Sequence, residues 1–79
     1  MSELPSIGAS AFIRVIEKLG FRLDRQRGSH AIYKHPETMK RVVVAVHSGK
    51  DLKKKTLVGM LKDIGLEREE FVRLLRQSS

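Results

Sequence analysis

The run Val42-Val43-Val44-Ala45-Val46 most constrains what this chain can become. β-Branched side chains are stiff at χ1 and pack well on a pleated surface, so an almost unbroken set of them marks a strand. The strand is placed from Arg41 to His47. One strand alone buries little, and the chain supplies partners immediately upstream. Phe21 and Leu23 alternate with Arg22 and Asp24, the pattern of a half-buried strand that continues to Arg27. Gly28 separates it from a second run, Ser29 to His35, centred on Ile32 and Tyr33 and closed by Pro36. That connection is short enough for an antiparallel hairpin. Pro36-Glu37-Thr38-Met39 reads as the turn into the valine strand, and Ser48-Gly49-Lys50-Asp51 as the loop after it.

Helical periodicity brackets these strands. Phe12, Val15, Ile16 and Leu19 follow the i, i+3, i+4, i+7 spacing of one buried face, so a first helix is expected from about Gly8 to Leu19, stopped by Gly20. Leu57, Met60, Leu61 and Ile64 give the stripe of a second helix, Lys54 to Ile64, stopped by Gly65. A short last helix fits Glu67 to Arg76, with its acids early and its arginines late, as the helix dipole favours. The expectation is therefore an α+β fold in the order α-β-β-β-α: a three-stranded antiparallel sheet, helices on one face, the other face open. Residues 1–7 read as a lead-in and 66–79 as a C-terminal helical appendage to a single domain. The element order is that of double-stranded-RNA-binding domains.

Charge says what such a sheet would meet. The 79 residues carry a net +7, and its distribution matters more than its size. Between Lys18 and Lys55 there are 11 basic and 3 acidic residues; elsewhere there are 5 and 6. Positive charge concentrated in the middle of a small domain draws polyanions, and nucleic acid is the expected partner. A membrane surface fits less well, because the basic region is not one long amphipathic helix. Cysteine is absent, no apolar run approaches the ~20 residues that span a bilayer, and Met1-Ser2-Glu3-Leu4-Pro5 lacks the order of a signal peptide. A cytoplasmic location is expected.

Within the basic region His30 stands out. Histidine is the side chain whose ordinary pKa lies near neutrality, and here Arg27 and Lys34 flank it with fixed charge. By strand parity His30, Ile32 and Lys34 share one face and Ala31, Tyr33 and His35 the other. If the large aromatic Tyr33 faces the helices, His30 and Lys34 lie together on the open face. Lys53-Lys54-Lys55 stands at the start of the second helix, where cations oppose the dipole, so a bound phosphate would relieve the arrangement. His47 ends the valine strand near that loop, while His35 before Pro36 reads as a turn residue. The three histidines have no metal-ligand spacing, and no metal is expected. Ser29 and His30 are strand neighbours pointing to opposite faces, which argues against a serine nucleophile. A metal-independent cut would then require RNA, whose 2′-hydroxyl can attack the adjacent phosphate. A histidine would remove the 2′ proton or protonate the leaving 5′ oxygen, and cations would stabilise the phosphate. A lysine, His47 or water could be the second acid or base.

Several segments in order carry a family likeness: Gly20-Phe21, Arg25-Gln26-Arg27-Gly28-Ser29-His30, Tyr33-Lys34-His35-Pro36, Val42-Val43-Val44, His47, Asp51-Leu52-Lys53-Lys54, Thr56-Leu57, Gly65-Leu66 and Glu69-Glu70-Phe71. Across about residues 8–76 the chain resembles the HicA toxins of toxin–antitoxin pairs. The resemblance implies a double-stranded-RNA-binding-like fold, cleavage of messenger RNA as an endoribonuclease, His30 as the catalytic residue, and a HicB-type antitoxin that covers the site. The expected RNA-binding set is Arg27, Gly28, Ser29, Lys34, His47, Lys50, Lys53, Lys54 and Lys55, with no metal and no cofactor. Two positions depart from the family pattern: Ala45 in place of a proline, and Lys55 in place of a glycine. If that glycine served a positive φ, Lys55 would be strained. Two other readings remain at this stage: a non-catalytic double-stranded-RNA-binding module, and an interaction protein whose basic face meets an acidic partner.

Overall fold

The computed structural model describes residues 4–47 and 49–77. Met1 to Glu3 of the lead-in, Ser48 of the loop and Ser78-Ser79 lie outside the described residues. The order is α1 (Ala9–Lys18), β1 (Arg22–Arg27), β2 (His30–Lys34), β3 (Arg41–Ala45), α2 (Lys54–Ile64) and α3 (Arg68–Gln77). The strands form one antiparallel sheet in sequence order, with β2 in the middle. This is the α+β arrangement expected from the sequence. The ladder also runs one step past the ends of β2 and β3, because the Val46 N–H donates to the Ser29 carbonyl at 2.7 Å.

The two glycines expected to stop helices do so in the same way. After α1, the Phe21 N–H reaches the Ile16 carbonyl at 3.0 Å and the Gly20 N–H reaches Glu17 at 3.0 Å, with Gly20 at φ 102. After α2, the Leu66 N–H reaches Leu61 at 2.9 Å and the Gly65 N–H reaches Lys62 at 3.2 Å, with Gly65 at φ 70. This paired closure satisfies the last carbonyls of a helix and turns the chain sharply. It sends Phe21 straight back into the core beside Ile16, where both are buried.

Helix and sheet share one apolar layer. Ala31 and Tyr33 of β2 and Val42 and Val44 of β3 are buried against Phe12, Val15 and Ile16 of α1 and Leu57, Met60, Leu61 and Ile64 of α2. α3 closes the layer from the far side of α1. Phe71 is fully buried and its ring lies 5.8 Å from that of Phe12. The Lys18 ammonium donates to the Gln77 carbonyl at 3.0 Å, tying the ends of α1 and α3 together.

β1 departs from the half-buried pattern expected of it. All six of its residues are exposed, Leu23 included at 51%. It is an edge strand that projects past the helices, and Phe21, the apolar residue that would anchor it, is buried just before the strand begins.

Two stability predictions follow from these contacts. Phe71→Ala should cost about 3–5 kcal/mol, the usual loss for a fully buried phenylalanine, read as a fall in the urea midpoint at constant slope. Separately, burial pushes the Tyr33 phenol above its ordinary value of 10.0, and the Glu17 carboxylate adds in the same direction. The folded state therefore holds this proton more tightly than the unfolded chain. Its contribution is full below about pH 10 and is lost as pH rises through the raised folded value. Tyr33→Phe should flatten the alkaline decline in stability, measured by denaturant titrations from pH 9 upward; an identical decline in both proteins would contradict this.

Candidate nucleic-acid interface

The side-chain period of β2 decides what the open face carries. Ala31 and Tyr33 turn to the helices, so His30, Ile32 and Lys34 turn away, and the exposure of the strand alternates accordingly. Their cross-strand partners stand on the same face. His30 is flanked by Arg27 and Ala45, Ile32 by Arg25 and Val43, and Lys34 by Arg22 and Arg41. The open face is thus three rows: a histidine beside an arginine, an apolar pair beside an arginine, and three cations together.

A bulge in β1 makes the third row. Arg27, Gln26 and Arg25 pair with His30, Ala31 and Ile32, and the register then slips so that Leu23 meets Tyr33 and Arg22 meets Lys34. Asp24 is the extra residue. An unslipped ladder would have set Leu23 beside Lys34 in solvent and turned Asp24 toward the helices. The bulge turns Leu23 to the helix side of the sheet, opposite Tyr33, where it stays half-exposed past the helices, and moves Arg22 to the open side. Arg22, Arg25 and Arg41 were not among the residues expected at the site. A signal was present in the sequence: apolar residues occupy odd positions at 21 and 23, arginines at 25 and 27, a change of phase that one extra residue accommodates.

His30 itself is exposed, and no other described residue hydrogen-bonds or ion-pairs with its imidazole. The turn beside it has Gly28 at φ 57 as the first of two residues, a position where II′ hairpin turns require a left-handed residue. Ser29 is half-buried and engaged through its carbonyl to Val46. Among the described residues most of the surrounding cations have no ion-pair partner. The one ion pair on this face among the described residues is Arg25 to Asp24 at 3.6 Å.

The row of His30 continues beyond Ala45 into a groove lined by Ala45, His47, Lys50, Asp51, Lys53 and Thr56. The groove opens at the start of α2, and the start of α1 (Gly8, Ala9 and Ser10) lines a neighbouring hollow that shares His47, Lys50 and Asp51 with it. Gly8, the residue before α1, bridges to Asp51, and the Leu52 N–H donates to the Ile7 carbonyl at 2.7 Å. Neither α1 nor α2 has a side-chain cap or an acid in its first turn. Their first N–H groups are thereby left open to an anion. Lys53 is the residue before α2 and lines the groove, while Lys54 and Lys55 are exposed on its first turn and lie outside the lining. Lys55 is not among the residues with positive φ, so the strain its substitution for glycine could have brought is absent.

His35 has a different task. Its Nδ1 accepts the N–H groups of Glu37 at 3.1 Å and Thr38 at 3.2 Å, so Nε2 carries the proton and donates to the Leu19 carbonyl at 3.0 Å. The ring also meets Phe21 edge-on at 5.2 Å. It packs against Gly20 so closely that a Cβ there would come within 2.8 Å of Nε2. His35 therefore ties the β2–β3 turn to the end of α1 and stands apart from the open face. Among the described residues no group of three His, Cys, Asp or Glu is placed to hold a metal ion, so His30, His35 and His47 do not converge.

The fold and this surface define a small basic α+β protein with an anion-attracting sheet face. The family model of the HicA toxin of bacterial toxin–antitoxin systems matches residues 9–66, which spans α1 through α2 and includes every residue of the open face. The chain belongs to the HicA toxin family, and is a toxin of a toxin–antitoxin pair. No curated protein matches it. No helix among the described residues is long and apolar enough to cross a membrane.

The separate tasks of two histidines give a direct test. His35→Ala removes three hydrogen bonds from a turn and should cost about 1–3 kcal/mol, or roughly 4–8 °C of Tm per kcal/mol in a domain of this size. His30→Ala should leave Tm within about 2–4 °C, since surface positions without partners contribute at most about 0.5 kcal/mol. Equal Tm losses in a calorimetric comparison would contradict the division.

Proposed function

We propose that the chain is a metal-independent endoribonuclease that cleaves messenger RNA, with His30 as the general acid or base. The observation that carries this reading is the placement of His30: exposed, without an ion-pair or hydrogen-bond partner among the described residues, and set between an arginine and a groove at the start of α2. A proton-transfer group needs an unengaged ring nitrogen and access to the substrate. The cations around it suit a phosphodiester, whose charge grows in the transition state.

In the reaction the 2′-hydroxyl of the substrate attacks its neighbouring phosphorus. The bond from phosphorus to the 5′ oxygen breaks, leaving a 2′,3′-cyclic phosphate and a free 5′-hydroxyl. His30 either takes the 2′ proton or supplies one to the departing oxygen. Arg27, on the same row, stabilises the phosphate, with Lys34 further along the face. Gly28 and Ser29 shape the turn that holds Arg27 and His30 in register. His47, Lys50 and Lys53 receive phosphates in the groove, and Lys54 and Lys55 add to the field around it. His47, a lysine of the groove or water supplies the second proton step. The antitoxin of the pair is of the HicB type and neutralises the toxin by covering the open face, in the cytoplasm.

His30→Ala should lower cleavage of a defined RNA about 10²–10⁴-fold, the usual worth of one acid–base group, and relieve growth arrest on expression. RNA binding should persist. Undiminished cleavage by the variant would sink the role of His30. Salt-sensitive RNA binding by the parent protein with no cleavage would favour the non-catalytic binding module instead, a reading that the uncapped, lysine-rich start of α2 equally suits.

A further inference from the structure

We infer that the row Arg22–Lys34–Arg41 is a second phosphate subsite, and that the open face takes RNA as an extended single strand. This rests on the nuclease reading for the placing of the scissile phosphate at His30, and adds to it a substrate register. Lys34 stands four residue steps along β2 from His30, which is about 13 Å at the rise of a strand. Three cations meet in this row because the bulge at Asp24 brings Arg22 opposite Lys34, while Arg41 pairs with Lys34 from the other side. Among the described residues none of the three has an ion-pair partner. Like charges on directly paired strand positions repel, so the row costs stability unless an anion occupies it.

Between the two charged rows lie Ile32, half-buried, and Val43, 42% exposed. An apolar step between two phosphate-binding rows fits the alternation of a single strand laid flat, with phosphate, then base or ribose, then phosphate. A duplex keeps its bases stacked inside and would offer such a strip only backbone and groove edges. Single strands instead present base faces to a protein surface while a basic groove follows the backbone. The groove of His47, Lys50 and Lys53 lies beyond Ala45, on the opposite side of His30 from the three-cation row. His30 is therefore in the middle of a cationic track, with subsites on both sides of the bond to be cut.

The test uses the full chain. Binding of a labelled single-stranded RNA of about ten nucleotides is measured by anisotropy from 50 to 200 mM salt in the His30→Ala background, with and without Arg22→Gln, Lys34→Gln and Arg41→Gln together. Losing one or two phosphate contacts should reduce the slope of log affinity against log salt by about 0.7–1.4. In the His30-intact protein the same triple change should raise KM and leave kcat nearly unchanged, and Arg22→Lys with Arg41→Lys should restore KM. An unaltered salt slope and KM would overturn the subsite while leaving His30-dependent cleavage standing. Absence of cleavage by the parent, with the slope change intact, would overturn the nuclease reading and leave the subsite. Equal affinity for a matched duplex would overturn the single-strand assignment.

Discussion

The hairpin register that sets Arg27 against His30 holds the rest of the structure in place. Side chains of a strand alternate strictly, so slipping β2 by one residue would turn Tyr33 and Ala31 into solvent and bury His30 and Lys34. Two features prevent this. Gly28 provides the left-handed residue for a two-residue turn, and Val42 and Val44 are buried opposite Tyr33 and Ala31. The apolar layer thus fixes the polar face: whatever packs inward at 31 and 33 forces 30, 32 and 34 outward.

Charge separates along the same division. Most cations from Arg22 to Lys55 gather on the open face and at the start of α2, while Lys40 reaches the glycine that ends α2. The acids Glu67, Glu69 and Glu70 stand at the start of α3, on the far side of α1, where they suit its dipole. Glu70 is further held by Arg73 within the helix. A polyanion approaching the molecule therefore meets one attractive side. The same features make that side suitable for a protein antitoxin, since exposed Val43 and half-buried Ile32 offer apolar contact inside a charged surround.

Much of this was legible in the sequence because it depends on period. The valine run, the heptad-like spacing of α1 and α2 and their terminal glycines located every element to within a residue or two. The placement of Tyr33 toward the helices followed from size and apolarity alone, and the structure agrees. What escaped depends on a break in period. The bulge at Asp24 shifts β1 by one residue, and with it Arg22 joined a site that ordinary alternation would have denied it. The pairing of Arg41 with Lys34 needed the length of the β2–β3 turn, which His35 sets through hydrogen bonds no spacing rule reveals. That Phe71, with Leu74 and Leu75, anchors the last helix was legible from their apolar spacing; that its ring meets Phe12 of α1 was not, since a short terminal helix does not announce what it packs against.

The central claim is that the open sheet face, and not the helical face, meets RNA. Amide chemical-shift mapping of the His30→Ala protein on titration with single-stranded RNA tests it most directly. The account predicts the largest shifts at residues 22–34, 41–47 and 50–55, with α1 beyond its first turn and α3 unmoved. Shifts concentrated on the exposed sides of α1 and α3, with β2 silent, would contradict it.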